Sequence, residues 1–294
     1  MQNLHRTLLG LSVALTLLSG RTFALGAPQA TLAPREIVRR TVENELRAGD
    51  GHERFMFRSR KRTPSGSQTK IFVQTQEATA GMLVAINDQP LTPEQRQGEE
   101  GRLRNLIQNP SELKRKQKQE RDDADRIRRI MRALPDAFEY EADGVEEGTS
   151  GVGKEGDELI RLKFTPNSNY KPPSRVEQVL EGMEGVVLID ARQHRIARID
   201  GTLFRDVSFG WGILGHLNKG GHFQVDQANV VDGAWEITHM RLNFTGKVLL
   251  FKSIVLKAEE EFSNFQRVPD TLSFADGVSL LMKQSAVSES RNGQ

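Results

Sequence analysis

Residues 135–268 alternate apolar and polar side chains in short segments, and this alternation constrains the fold more than any other feature of the sequence. Successive side chains of a β-strand point to opposite faces of its sheet, so alternation indicates strands that bury one face. Residues 232–233 and 245–247 are expected to form compact hairpin turns. The predicted strands of this region are 138–144, 158–165, 185–190, 195–208, 221–231, 234–244 and 250–265.

Three further strands are predicted nearer the N-terminus, over residues 54–62, 69–76 and 81–87, with a turn at 64–66. A total of about ten strands favours one large antiparallel sheet that is curled or closed. Because helical segments accompany this sheet, the predicted fold class is α+β.

Two regions have the spacing of helices. Residues 34–48 place apolar side chains three and four positions apart, with Pro34 near the start and glycines after the end. Residues 92–134 are predicted as a helical insertion in which 109–111 separate two helices. The middle of the second helix, 114–126, carries almost no apolar residue, so we expect it to project into solvent.

Residues 1–24 are interpreted as a signal peptide that is removed on export. His5 and Arg6 precede an apolar stretch at 8–18, and residues 22–24 offer a cleavage site. A membrane span needs about 20 apolar residues, so this stretch is too short, and we expect no transmembrane segment in the mature chain. The expected protein is periplasmic, with a single domain over 25–270 and a C-terminal tail, at least partly disordered, over 271–294.

The charge balance and the absence of cysteine exclude several classes of protein. The chain has 41 Lys and Arg residues against 39 Asp and Glu residues, and loss of Arg6 and Arg21 with the signal peptide leaves 39 of each. A nucleic-acid partner therefore has no electrostatic support. A chain without cysteine has no thiol nucleophile, no thiolate metal site and no lipid-modified N-terminal cysteine.

Enzyme motifs are weak or absent in the sequence. Residues 151–156 match the dinucleotide pattern G-x-G-x-x-G, but they lie in an acidic stretch without a strand before them or a helix after them, which favours a flexible hairpin loop. The histidines lack the spacing of metal ligands, and G-x-S-x-G does not occur. We therefore predict a protein that is not an enzyme, with no catalytic residues, no metal and no cofactor.

Two features indicate an apolar concavity that can be covered. Residues 204–217 mix large apolar side chains with glycines, which is typical of a tightly bent core strand or of close approach by a ligand. The helical insertion either covers the open end of a curled sheet or packs on one of its faces. The candidate cavity residues are Phe72, Met82, Val84, Phe204, Phe209, Trp211, Phe223, Trp235 and Phe251. The candidate lid residues are Ile127, Ile130 and Met131.

Several motifs occur in a characteristic order between residues 185 and 267. A strand that ends in Asp190 is followed by a basic strand, a glycine-led strand, a Gly-x-Trp hairpin and a late strand that ends at 265–267; the motifs are 185–190, 195–201, 220–225, 232–235 and 246–251. This order resembles the outer-membrane lipoprotein-sorting proteins, the superfamily of LolA, LolB and the RseB-type stress sensors. The resemblance implies an unclosed half-barrel whose concave apolar face is covered by helices and receives acyl chains or lipid-like ligands.

These observations support two hypotheses of different classes. In the first, the chain is an exported carrier that holds an acyl chain, a lipid or a lipidated protein in an apolar cavity. In the second, it is a cell-envelope sensor or assembly module that docks a protein partner through its charged helix, residues 114–132, while its own side chains fill the core. A hydrolase is disfavoured because no paired acid and base residues are recognisable.

Overall fold

The computed structural model describes residues 32–292 except 52, 210–214, 232 and 249–251. The predicted signal peptide and the candidates Trp211 and Phe251 lie outside the described residues, as does the side chain of Phe209. From Ala33 onward the chain belongs to one compact unit.

The described residues contain one open, curved sheet of thirteen strands, in which every paired neighbour is antiparallel. The order across the sheet is β4-β3-β2-β1-β13-β12-β11-β8-β7-β6-β5, and β9 and β10 join it beside β12. The prediction of an α+β fold with an unclosed sheet is confirmed. The strands are β1 (Arg54–Thr63), β2 (Gly66–Gln74), β3 (Thr79–Ile86), β4 (Gln89–Pro90), β5 (Phe138–Glu147), β6 (Glu158–Pro166), β7 (Met183–Asp190), β8 (Ile196–Leu203), β9 (Val207–Phe209), β10 (Gly215–Leu217), β11 (His222–Val231), β12 (Ala234–Val248) and β13 (Lys252–Val268).

The sheet differs from the predicted strands in three places. The predicted strand 195–208 is interrupted, because residues 204–206 lie between β8 and β9. β4, β9 and β10 are two or three residues long, too short for alternation to reveal them. Residues 245–247, predicted as a hairpin turn, lie instead inside β12. Gly246 is required there for close packing, because a Cβ atom on it would lie 2.2 Å from the carbonyl oxygen of His216 on β10.

Four α-helices and one 3-10 helix accompany the sheet in the described residues: α1 (Pro34–Gly49), α2 (Pro93–Gln108), α3 (Pro110–Ala137), the 3-10 helix (Glu177–Gly182) and α4 (Phe274–Asn292). α2 begins with a reciprocal pair of hydrogen bonds between Thr92 and Gln95. α3 has 28 residues, and at a rise of 1.5 Å per residue it is about 42 Å long. It is therefore long enough to cross the sheet.

α4 lies within the segment expected to be a C-terminal tail. Its residues Phe274, Val278 and Leu281 are buried, and they pack with Met56 and Val73 of the sheet. Their spacing of four and three positions is that of one helix face. The helix is therefore part of the domain core.

The helices lie on both faces of the sheet. Met56 pairs with Val73 under α2 and α4, whereas the next residue, Phe57, pairs with Phe72 and points to the opposite face. On this opposite face, Phe57 contacts Phe262 of β13. The pairing of β13 with β1 and β12 continues the same face to the part of the sheet that α1 and the end of α3 cover. α3 therefore leads from the edge at β3 to the face that α1 covers.

Candidate functional site

An apolar cavity of about 460 Å³ lies between the sheet and helices α1 and α3. Its lining side chains are hydrocarbon or thioether groups apart from the hydroxyl groups of Thr41, Tyr140 and Thr245. They are Val38, Thr41, Val42, Ile130, Met131, Leu134, Phe138, Tyr140, Phe164, Val179, Leu180, Met183, Val187, Ile189, Ile196, Ile199, Leu217, Phe223, Leu242, Phe244, Thr245, Ile254 and Leu256.

The sheet wall of the cavity is formed by cross-strand pairs. Val187 of β7 lies opposite Ile199 of β8, and Ile189 lies opposite Ile196. Alternation puts Val187 and Ile189 on one face of β7. A register shift beside Ile189 brings Ile196 and Ile199, which are three positions apart on β8, to the same face, the one that α1 covers. Phe164 of β6 continues the wall towards the edge. The sheet wall is therefore continuous and made of branched and aromatic side chains.

The helix wall comes from α1 and from the last turns of α3. Val38 and Val42 of α1 are four positions apart, and each is 4% exposed. Ile130, Met131 and Leu134 supply the α3 side. Side chains at these spacings share one face of their helix, so each helix presents an apolar strip to the cavity.

All three hydroxyl groups named in the lining have hydrogen-bond partners. The Thr245 hydroxyl accepts from the side-chain amide of Asn218 at 2.9 Å. The Thr41 hydroxyl donates to the carbonyl of Ile37 at 2.9 Å, and the Tyr140 hydroxyl donates to the carbonyl of Leu134 at 2.8 Å. Burial raises the pKa of Tyr140 well above its ordinary value, so the phenol stays neutral. The cavity wall therefore offers no charge and little free hydrogen-bonding capacity.

One end of the cavity reaches solvent beside the β12–β13 hairpin. Ile254 is 37% exposed and Leu256 is 48% exposed, although both line the cavity. Thr245 is also exposed. We call this end, formed by Thr245, Ile254 and Leu256, the cavity mouth.

Charged groups outside the cavity attach α1 to the sheet. The Glu45 carboxylate accepts hydrogen bonds from the Arg195 guanidinium at 2.9 and 3.0 Å and from the backbone N–H of Ile196 at 2.8 Å. Close to Arg195, burial raises the pKa of Glu236 to about 7. The Glu45–Arg195 pair is largely buried, so it fixes the end of α1 against β8.

Three of the residues predicted from the sequence line this cavity. They are Phe223 on β11 and the two lid candidates Ile130 and Met131 on α3. The third lid candidate, Ile127, is 64% exposed and does not line it.

The other described candidates lie elsewhere. Met82 and Val84 pack under α2 and α4, and Phe72 stacks on Phe57 with ring centroids 5.4 Å apart. Trp235 packs with Leu159, Leu188 and Ala197, and its indole N–H donates to Gln193 at 2.8 Å. The Arg205 guanidinium lies over the Phe204 ring. The structure therefore places these side chains in separate clusters outside the cavity.

Sequence reasoning missed most of the cavity wall. The apolar strip of α1 was recognisable from its spacing, as were the alternating residues of β7 and β8, but no local signal connects a helix near residue 40 with strands near residue 190. Their contact depends on the sheet register and on the Glu45–Arg195 pair.

The described residues offer little support for other kinds of site. Among them, no group of three or more His, Asp and Glu side chains is arranged to hold a metal ion. The glycine-rich residues 151–156 lie between β5 and β6, and Gly153 bridges to Ala228. No helix among the described residues is long and apolar enough to span a membrane.

Comparisons with known proteins give low similarity. No protein-family model and no curated protein matches the sequence. A DUF1329 family protein from Desulfovibrio piger is 11% identical, with a TM-score of 0.30, and the match covers 85% of this chain and 100% of that one. A putative outer membrane lipoprotein-sorting protein domain from Vibrio parahaemolyticus is 8% identical, with a TM-score of 0.31, over 83% of this chain and 99% of that one. MucB, in a complex with MucA(peri), is 7% identical, with a TM-score of 0.23, over 84% and 97%.

Proposed function

We propose that the chain is an exported periplasmic carrier that holds an acyl chain, from a lipid or a lipidated protein, in the cavity between the sheet and helices α1 and α3. The observation that carries this proposal is a cavity of about 460 Å³ with an uncharged, almost wholly apolar wall. Cavities that bind small ligands commonly measure about 300–1,000 Å³ and have mostly apolar walls. The proposal includes no covalent chemistry.

The free energy of such binding would come from burial of methylene groups. Each buried methylene contributes about 0.8 kcal/mol, and part of the total is offset by the entropy lost on association. A charged headgroup would have no partner inside the wall, so it would remain at the cavity mouth, near Ile254 and Leu256. The ligand would therefore enter with its chain first.

Two matched substitutions on α3 test the proposal. Met131→Asp places a carboxylate on the cavity wall, whereas Ile127→Asp places it one helical turn away on an exposed position. We expect Met131→Asp to weaken binding of a fluorescent fatty acid at least tenfold, because an unpaired buried charge is costly, and Ile127→Asp to leave it unchanged. Circular dichroism checks the fold of both variants. Equal affinity in the two variants would contradict the proposal.

A second candidate function rests on the exposed part of α3. Ile127 is exposed on a helix whose ion pairs Lys118–Asp122 and Arg126–Asp123 satisfy charges within the helix itself. An exposed apolar residue among paired charges suits a protein partner in the cell envelope. If the chain is a sensor or assembly module, Ile127→Asp would abolish capture of that partner and leave fatty-acid binding unchanged, whereas Met131→Asp would not affect capture.

A further inference from the structure

The β13 side of the β12–β13 hairpin extends beyond its neighbour β1, while the β12 side stays paired with β10. β13 pairs with β1 only from Glu259 onward, whereas residues 252–258 pair with β12 alone. At a rise of about 3.3 Å per residue, this part is about 20 Å long. We call residues 252–258, with the β12 residues paired to them, the projecting hairpin.

Three consecutive apolar residues of the projecting hairpin are exposed. Val255 is 68% exposed, and it lies between Ile254 and Leu256, which form part of the cavity mouth. Because successive side chains alternate, Val255 points to the face opposite the cavity. Both faces of the hairpin are therefore apolar beside the entrance to the cavity.

The charge of the hairpin has one sign. Residues 242–258 contain three lysines and no Asp or Glu, and Lys247 and Lys257 are exposed. The next carboxylate along β13, Glu259, forms ion pairs with Arg62 and Arg241. An apolar ribbon flanked by exposed lysines complements the surface of an anionic bilayer.

We propose that the projecting hairpin docks the protein on an anionic lipid surface, with the cavity mouth towards the lipid. The evidence for this docking surface is the exposure and the charge of the hairpin. Only its role in ligand transfer rests on the proposed function. The backbone edge of 252–258 needs water as a hydrogen-bond partner, so the contact is confined to the headgroup layer. A second copy of the chain is a poorer occupant, because pairing two hairpins would bring their lysines together.

The test is cosedimentation of the purified protein with phosphatidylglycerol vesicles and with phosphatidylcholine vesicles. The variants are Val255→Asp and the double variant Lys247→Gln with Lys257→Gln. The control is Val145→Asp on β5, because Val145 is 61% exposed and distant in sequence from the hairpin. Each variant keeps the same N-terminus, so any contribution from that end cancels in the comparison.

The wild type should bind phosphatidylglycerol in preference to phosphatidylcholine, and salt should weaken the binding. Val255→Asp and the double lysine variant should each reduce the bound fraction about fivefold or more, and Val145→Asp should not. Equal binding by the wild type and Val255→Asp, or no preference for the anionic vesicles, would overturn the proposal. The proposal would also be overturned if the wild type bound no vesicles and instead formed a dimer that Val255→Asp dissociates.

Fatty-acid binding separates this inference from the proposed function. Val255 does not line the cavity, so Val255→Asp should bind the fluorescent fatty acid as the wild type does. A wild type that binds the fatty acid but no vesicles overturns only the docking surface. A wild type that binds phosphatidylglycerol through the hairpin but no fatty acid supports the docking surface and contradicts the carrier.

Discussion

At the scale of single residues, the outer edge of β3 is covered by side chains of α2 and α3. Glu99 accepts a hydrogen bond from the N–H of Leu83 at 2.8 Å, and Arg102 donates to the carbonyl of Gly81 at 2.7 Å. The Glu120 carboxylate accepts from the N–H of Thr79 at 3.1 Å. An uncovered sheet edge can pair with other chains, so these three contacts both attach the helices and protect the edge.

Glu99→Ala should destabilise the fold by about 1–3 kcal/mol at neutral pH, because it removes the acceptor of the Leu83 N–H and the carboxylate that pairs with Arg102, which keeps its hydrogen bond to the Gly81 carbonyl. Glu100→Ala is the control, since its carboxylate pairs along the helix with Arg104, and we expect its cost to stay below about 0.5 kcal/mol. Urea unfolding of both variants measures the difference.

The effect of Glu99 should depend on pH. Burial raises the pKa of Glu99, but hydrogen bonds from Arg102 and from the N–H of Leu83 outweigh burial and lower the pKa below its ordinary value. A carboxyl whose pKa is lower in the folded state stabilises the fold above its ordinary pKa of about 4.3, and that contribution is lost as the pH falls through the folded-state pKa. The stability difference between the wild type and Glu99→Ala should therefore shrink on acidification. A constant difference would show that the ionised carboxylate is not the stabilising species.

At the scale of elements, α4 is the helix that was not predicted from the sequence, since its residues were expected to form a C-terminal tail. Leu281 is fully buried in the cluster under α2 and α4, whereas Leu280 is only partly buried at its margin. We expect Leu281→Ala to destabilise the whole domain by about 2–5 kcal/mol and Leu280→Ala by about 1 kcal/mol. Thermal unfolding followed by circular dichroism measures both. If Leu281→Ala left the unfolding midpoint unchanged, α4 would not contribute to the domain core.

The alternating pattern predicted where the long strands lie, but it did not predict which face of the sheet lines the cavity. β1–β3, β5–β8 and β11–β13 were each predicted as strands from the sequence. In β1 and β2, however, Met56 with Val73 and Phe57 with Phe72 are two apolar pairs on opposite faces. Local pattern cannot decide which pair faces a cavity when both faces are apolar. That choice depends on long-range pairing, such as β1 with β13.

At the scale of the whole molecule, the structure combines an open sheet, a long crossing helix and an uncharged cavity. The sheet is curved, but its edge strands β4 and β5 do not pair with each other, so it stays open. α1 and the end of α3 cover the part of its face where the cavity lies. The cavity mouth lies beside the projecting hairpin. Ligand entry and surface docking would thus involve adjacent parts of the same two strands, β12 and β13.

Whether this cavity holds an acyl chain can be measured by native mass spectrometry of the protein purified from its exported compartment, followed by organic extraction. We predict a bound acyl-containing species that is released into the organic phase, that is present in Ile127→Asp and that is missing from folded Met131→Asp. Protein that carries no lipid as isolated and takes up none from added fatty acid would contradict the account.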